Sequence, residues 1–99
     1  TEAFYMATEN GARAIGYTEI GTLDIGKQAD YITVKADTPT PLNDENILDQ
    51  LVRFRRSSDI TSTTIAGNLV MQNGEVLTLN EEQAKKDCRE ITEEYWRTV

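Results

Sequence analysis

Carboxylates are the commonest chemistry-bearing groups in this 99-residue chain, with 17 Asp and Glu against 10 Lys and Arg. Two spacings could bring a pair together for general acid/base work, Asp24 with Asp30 and Asp37 with Asp44. Such a pair transfers protons at neutral pH only if burial in a cleft shifts one member's pKa. All four acids sit in sequence that forms turns or caps, where bonding to local amides is sufficient reason for an Asp. A structural role is therefore expected. Glu81, Glu82, Asp87, Glu90, Glu93 and Glu94 read as the solvated face of a C-terminal helix, because no loop there folds several oxygens around one cation. Cys88 fits the apolar stripe of that helix. A reactive thiol would need exposure and the positive charge of Lys85 or Arg89 turned towards it. Arg53, Arg55 and Arg56 could meet a phosphate, but at a helix end they first complement the helix dipole. Gly21 and Gly26 resemble a phosphate loop only in composition, since they lead into a strand and not into a helix N-terminus. The chain has no histidine, which removes Ser-His and Cys-His nucleophile pairs and the commonest neutral metal ligand. No residue is expected to act in catalysis, to bind a cofactor or to ligate a metal.

The composition bounds the partners. A formal charge of −7 repels nucleic acid and anionic lipid, so neither is expected to bind. One cysteine cannot close an internal disulfide, and the pattern fits a reducing, cytoplasmic compartment. No apolar run approaches the roughly 18 residues of a membrane helix. The start, Thr1-Glu2-Ala3-Phe4, lacks the basic and apolar regions of a signal peptide and reads as a truncation or domain boundary.

The elements that must position these groups follow from periodicity. Ala3, Met6, Ala7, Asn10 and Ala14 share one face of a helical stretch from Glu2 to about Ile15. Thr8 interrupts it, capping a second short helix that ends at Gly16. Between the glycines lies Gly21-Thr22-Leu23-Asp24-Ile25-Gly26-Lys27-Gln28-Ala29-Asp30, in which Gly26 supplies a backbone angle forbidden to other residues and Asp30 holds the turn through local amides. Ile32, Val34 and Ala36 alternate with Tyr31, Thr33 and Lys35, which predicts a strand. Pro39 and Pro41 mark a loop. Asn43 or Asp44 caps a helix to about Arg56 with Ile47, Leu51 and Phe54 in one stripe. Thr61–Ala66 and Leu69–Gln72 form a hairpin about Gly67-Asn68. Asn73-Gly74 turns into a strand over Glu75–Thr78. Asn80 begins the last helix with Gln83 completing a capping box, and Ala84, Cys88, Ile91 and Tyr95 form its apolar stripe with Trp96 beside it.

Three blocks, in order, carry a family likeness: Met6-Ala7-Thr8-Glu9-Asn10-Gly11-Ala12-Arg13-Ala14-Ile15-Gly16, then Gly21 to Lys35, then Ile65-Ala66-Gly67-Asn68-Leu69-Val70-Met71-Gln72-Asn73-Gly74. Together they resemble the C-terminal end of the metal-dependent amidohydrolase superfamily, in its cytosine/guanine deaminase and chlorohydrolase-like branch. The resemblance covers almost the whole chain, and members of the family are far longer. It implies an α+β segment in three parts. Residues 1–20 would be the remnant of the last helix of a (β/α)8 barrel. Residues 21–79 would be the C-terminal half of a small β-sandwich, with an inserted helix near 44–56. Residues 80–99 would be a closing helix that packs back against the body.

In that family a His-x-His pair, two further histidines and an Asp hold one or two divalent metals, zinc or iron, that activate water to hydrolyse C–N or related bonds in small cyclic substrates. None of these motifs has a counterpart here, so the resemblance assigns catalysis to the parent enzyme and a non-catalytic, scaffolding task to this segment. The helix of Ala3, Met6 and Ala7 and the strands around Ile32, Val34, Ile65, Val70 and Met71 are then shaped to bury against other parts. Exposing even a few hundred Å² of apolar surface costs several kcal/mol at roughly 25 cal/mol per Å². The expected partners are the rest of the parent enzyme or further copies of the chain. The alternative is a self-standing acidic α+β module that associates through its sheet edges.

Overall fold

β-Branched and aromatic residues dominate two short runs, Tyr-Ile-Thr-Val and Ile-Thr-Ser-Thr-Thr-Ile, and both are strands. In the computed structural model, which describes residues 2–99, the order is α1 (Glu2–Ala7), α2 (Glu9–Ala14), β1 (Tyr31–Val34), α3 (Ile47–Phe54), a 3₁₀ turn (Ser57–Asp59), β2 (Ile60–Ile65), β3 (Asn68–Gln72), β4 (Glu75–Val76) and α4 (Glu81–Thr98). The strands form one antiparallel sheet in the order β1-β2-β3-β4. The class is α+β, as the sequence predicts.

Two irregularities shape the sheet. Register slips between Thr33 and Val34 in the β1–β2 pair and between Thr63 and Thr64 in the β2–β3 pair, so each pair carries a bulge that adds local twist. The hairpin turn lies one residue earlier than the composition suggests. Ile65 pairs with Asn68, and the two turn residues are Ala66 and Gly67, with φ of 50° and 78°. Ala66 is held in this left-handed region from outside the hairpin: its N–H donates to Asp30 Oδ1 at 2.7 Å, and Gly67 N–H donates to Ala29 O at 3.0 Å. Asp30 thus stabilises a turn 36 residues away instead of its own. Asn73-Gly74 does form the second tight turn, with φ of 52° and 80°, and Gln72 pairs with Glu75 across it.

The helices depart further from their predicted form. Thr8 does separate α1 from α2, but its hydroxyl donates back to Phe4 O at 2.8 Å and makes no cap. The predicted face of Ala3, Met6 and Ala7 is exposed, and Ala12 is the buried residue of α2. Against it sits Gly21, at φ 102°; a Cβ there would lie 2.9 Å from Glu9 Cα and 3.1 Å from Ala12 Cβ. Gly21 is therefore a packing requirement as well as a turn residue. Helix α3 starts later than expected, although Asn43 does set it up. Asn43 Oδ1 accepts from the N–H groups of Glu45 and Asn46, and Asn46 Oδ1 accepts from Asn43 N–H. This reciprocal arrangement closes the first turn as a capping box does. The helix ends at Phe54, so Arg55 and Arg56 lie beyond it in extended backbone, contrary to their expected place in its last turns.

Helix α4 stands apart from the rest. Asn80 Oδ1 accepts from Gln83 N–H at 3.0 Å, but the Gln83 side chain turns forward to Asp87, so only half of the capping box forms. None of its 18 residues is buried. Substantial packing between elements is confined to β1–β2, β2–β3, β3–β4, α1–α2 and α1–α3. The consequence is a large accessible surface of 8237 Å², against about 5,700 Å² for a folded monomer of this mass. The radius of gyration of 17.8 Å likewise exceeds the roughly 13 Å of a globule of this length.

Candidate functional site

Pairing fixes which side chains share a face of the sheet, since residues opposite one another across an antiparallel ladder point the same way. Ile32 opposes Thr63, which opposes Met71, which opposes Val76; Val34 opposes Ile60. One face is thus built of Ile32, Val34, Ile60, Met71 and Val76 around the single hydroxyl of Thr63, extended towards the hairpin by Ile65. The other carries Tyr31, Thr33, Ser62, Thr64, Leu69 and Gln72. On this second face hydroxyls satisfy one another: Thr33 Oγ1 bonds Thr61 Oγ1 at 2.7 Å and also the Ser62 hydroxyl, and Thr64 is buried.

The aliphatic face has no such internal solution. Ile32 is 49% and Ile65 51% exposed, Val34, Ile60, Met71 and Val76 are only half-buried, and no helix packs substantially on the sheet. A sheet with one apolar face is stable when a second layer covers that face. The face is held rigidly from both ends. Asp59 accepts from Arg56 N–H at 2.8 Å and its carbonyl accepts from Lys35 N–H at 2.8 Å, fixing where β2 begins. Arg55 Nη1 reaches the carbonyls of Lys35 and Asp37 at 3.5 Å, fixing where β1 ends. A shallow cleft of about 440 Å³ opens beside Ile60 and Met71, lined also by Lys35, Ser57, Ser58 and Thr61. It contains hydroxyls and one ammonium but no carboxylate, so no acid/base pair works there.

The chemistry-bearing residues of the sequence are scattered. Asp30 is occupied as the hairpin latch, Asp24 lends its carbonyl to Lys27 N–H at 3.1 Å, and Asp37 and Asp44 are exposed. Among the described residues no hydrogen bond joins Asp24 to Asp30 or Asp37 to Asp44. The acids of α4 serve helix-surface contacts: Glu81 bonds Lys85 at 2.9 Å and Glu90 approaches Lys86 at 4.0 Å. The hydrogen bond that Lys85 donates to the Glu81 carboxylate raises the Lys85 pKa. The other shifted group is Glu19, lowered chiefly by a backbone N–H and then by the Thr18 hydroxyl. Both are fully exposed. Cys88 is exposed, not covered within an apolar stripe. Among the described residues no three of His, Cys, Asp and Glu gather as metal ligands, so these residues do not fit a divalent ion. No helix among them is long and apolar enough to cross a membrane.

Ile60 and Val76 also belong to the aliphatic face, beyond the residues that strand periodicity alone places there. The signal was the apolar alternation on either side of a bulge, which shifts the phase of β2. Val70, which was expected in the buried set, lies at the other bulge, outside the paired register.

An open antiparallel sheet with one uncovered aliphatic face, flanked by short helices, defines an α+β unit that contributes packing surface. The sequence profile of the Amidohydrolase family matches residues 1–70, and the chain belongs to that family. It is 39% identical over 98 residues to the 5-methylthioadenosine/S-adenosylhomocysteine deaminase of Acetivibrio thermocellus, a match covering 96% of this chain and 22% of that protein. It is 42% identical over 83 residues to the enzyme of that name from Moorella thermoacetica, covering 83% and 19%. To the 5'-deoxyadenosine deaminase of Methanosarcina acetivorans it is 40% identical over 91 residues, covering 90% and 20%. The chain thus spans about a fifth of the length of these relatives.

Proposed function

We propose that the chain is the non-catalytic C-terminal segment of a cytoplasmic, metal-dependent amidohydrolase that removes the amino group from the adenine ring of a nucleoside derivative. The single observation that carries this reading is the match to deaminases over nearly the whole of this chain but only a fifth of theirs. Residues 1–20 supply the end of the (β/α)8 barrel, residues 21–79 supply half of a β-sandwich with α3 inserted, and residues 80–99 supply the closing helix. The uncovered Ile32–Ile60–Met71 face supports the sandwich assignment, because two sheets pack through such faces about 10 Å apart. A divalent zinc or iron ion, held in the parent by residues outside this chain, would supply the activated water for hydrolysis of the C–N bond. The residues of this chain hold the scaffold on which that site stands. The stand-alone module finds no support in the comparisons.

The test is a fusion in which residues 1–99 replace the matched region of the Acetivibrio relative. The fusion is expected to deaminate 5-methylthioadenosine within about tenfold of the parent rate, a change of roughly 1.4 kcal/mol in barrier. A fusion that folds, by circular dichroism and sedimentation, yet shows no deamination contradicts the reading.

A further inference from the structure

We propose that Asn73-Gly74 is a site of spontaneous covalent modification, at which the Asn73 carboxamide is lost through a succinimide ring, and that the isoaspartate product releases β4 from the sheet. The inference is independent of the function proposed above. The chain has two Asn-Gly pairs, Asn10-Gly11 and Asn73-Gly74, and glycine has no side chain to shield its amide nitrogen from the preceding residue. Ring closure needs a free amide nitrogen, an unrestrained carboxamide and water, and these meet at the second turn. Among the described residues neither Gly74 N–H nor the Asn73 carboxamide makes a hydrogen bond. Both residues are exposed, a Cβ at Gly74 would meet nothing within 4 Å, and the turn borders two open clefts. The ring closes once the turn opens, and little holds it shut. Strand β4 is a two-residue edge strand, joined to β3 through Met71–Val76, Gln72–Glu75 and the bond from Leu77 N–H to Val70 O at 2.8 Å. So short an edge lies at the low end of local stability. Asn10 is the internal control. Gly11 lies inside α2, where a Cβ would stand 2.6 Å from Met6 O, and its carbonyl accepts from Ile15 N–H at 3.4 Å. Helix bonds and packing therefore fix the backbone that would have to rotate.

The reaction balances with water alone. The Gly74 nitrogen attacks Asn73 Cγ, and its proton passes through water to the carboxamide nitrogen, which leaves as ammonia when its bond to Cγ breaks. Water then opens the ring at either carbonyl, giving aspartate or isoaspartate at position 73. Isoaspartate adds one methylene to the main chain, about 1.5 Å. A two-residue turn sets hairpin register by its length, so the added carbon breaks the Gln72–Glu75 pairing and takes Val76 away from Met71.

The experiment incubates the whole chain at mildly alkaline pH and follows each Asn-Gly pair by mass-spectrometric peptide mapping. Labelling with an isoaspartyl methyltransferase separates isoaspartate from aspartate, and hydrogen exchange at the Leu77 amide reads the docking of β4. Loss of the Asn73 carboxamide is expected at least about tenfold faster than loss at Asn10, a barrier difference of roughly 1.4 kcal/mol, with isoaspartate among the products. Leu77 protection is expected to fall about tenfold or more in the isoaspartate form. It is expected to persist in Asn73→Asp, which carries the new charge on a main chain of the original length. Equal rates at the two pairs, or faster loss at Asn10, overturn the proposal. So does an Asn73 that stays intact while a short Asn-Gly peptide in the same buffer converts. Leu77 protection that survives isoaspartate, or that is lost equally in Asn73→Asp, overturns the release of β4.

Discussion

Strands β1–β3 and helix α4 differ in composition, with eight of fifteen residues apolar in the strands and five of eighteen in the helix, and they are stabilised in different ways. The sheet is tied by long-range bonds: β1 to β2, β2 to β3, and the hairpin tip to Asp30. Helix α4 is tied only to itself, through the Asn80 cap and the Glu81–Lys85, Gln83–Asp87 and Lys86–Glu90 pairs. Each such pair contributes about 0.2–0.5 kcal/mol, and an 18-residue helix without packing is marginal in water. The sheet thus keeps its form through strand pairing alone, whereas α4 leaves Ile91, Tyr95 and Trp96 67%, 58% and 67% exposed and has no substantial tertiary packing to support it.

Substitutions and titrations test that contrast. The largest effect is expected from Gly21→Val, which forces a β-branched residue into φ 102° against the backbone of Glu9. It should destabilise the packing of the 18–30 loop on α2 by about 3 kcal/mol or more, read as a lowered midpoint in urea. Next, Asp30→Ala releases the Ala66 N–H and the strained hairpin tip, at about 1–2 kcal/mol. Asp30→Asn, which retains an acceptor, should recover most of this, and hydrogen exchange at Ala66 reads both. Asn80→Ala removes the N-terminal side-chain cap of α4 and should destabilise the helix by about 1 kcal/mol, read as lost helicity, while leaving exchange in β2 and β3 untouched. A coupled loss in the strands would show that α4 does pack on the sheet.

The smallest effect is electrostatic. Lys85 has a raised pKa in the folded chain, so its contribution is complete below the ordinary lysine value and disappears as pH rises through the raised one. Glu19 is the opposite case, lowered in the folded chain: its contribution is complete above the ordinary glutamate value and disappears as pH falls through the lowered one. Glu81→Gln should remove most of the alkaline change in α4 helicity, the remainder coming from the charge of Glu82. Thr18→Ala should weaken the acid change in the 18–30 loop without removing it, because the backbone bond at Glu19 remains.

Local signals were legible in the sequence and distant ones were not. Asn73-Gly74, the Asn80 cap, the Asn43 turn and the alternation of Tyr31 to Val34 depend on neighbours within a few residues, and each is found where the residues place it. The hairpin turn is displaced by one residue because its geometry is decided by Asp30, far along the chain. Arg55 looks like part of a helix-end cluster, but its guanidinium is used to bind the carbonyls of Lys35 and Asp37. Ile60 joins the aliphatic face through a bulge that breaks the period of two, and Val76 through its pairing with Met71. The candidate surface was therefore visible in outline from Ile32, Val34 and Met71, and its extent became visible only from the strand register.

The central claim is that the aliphatic sheet face is covered by the rest of an amidohydrolase. Hydroxyl-radical footprinting of Ile32 and Met71, compared between the isolated chain and the fusion to the Acetivibrio body, tests it most directly. Strong labelling of both in the isolated chain and protection of both in the fusion is the predicted result; equal labelling in the two would contradict it.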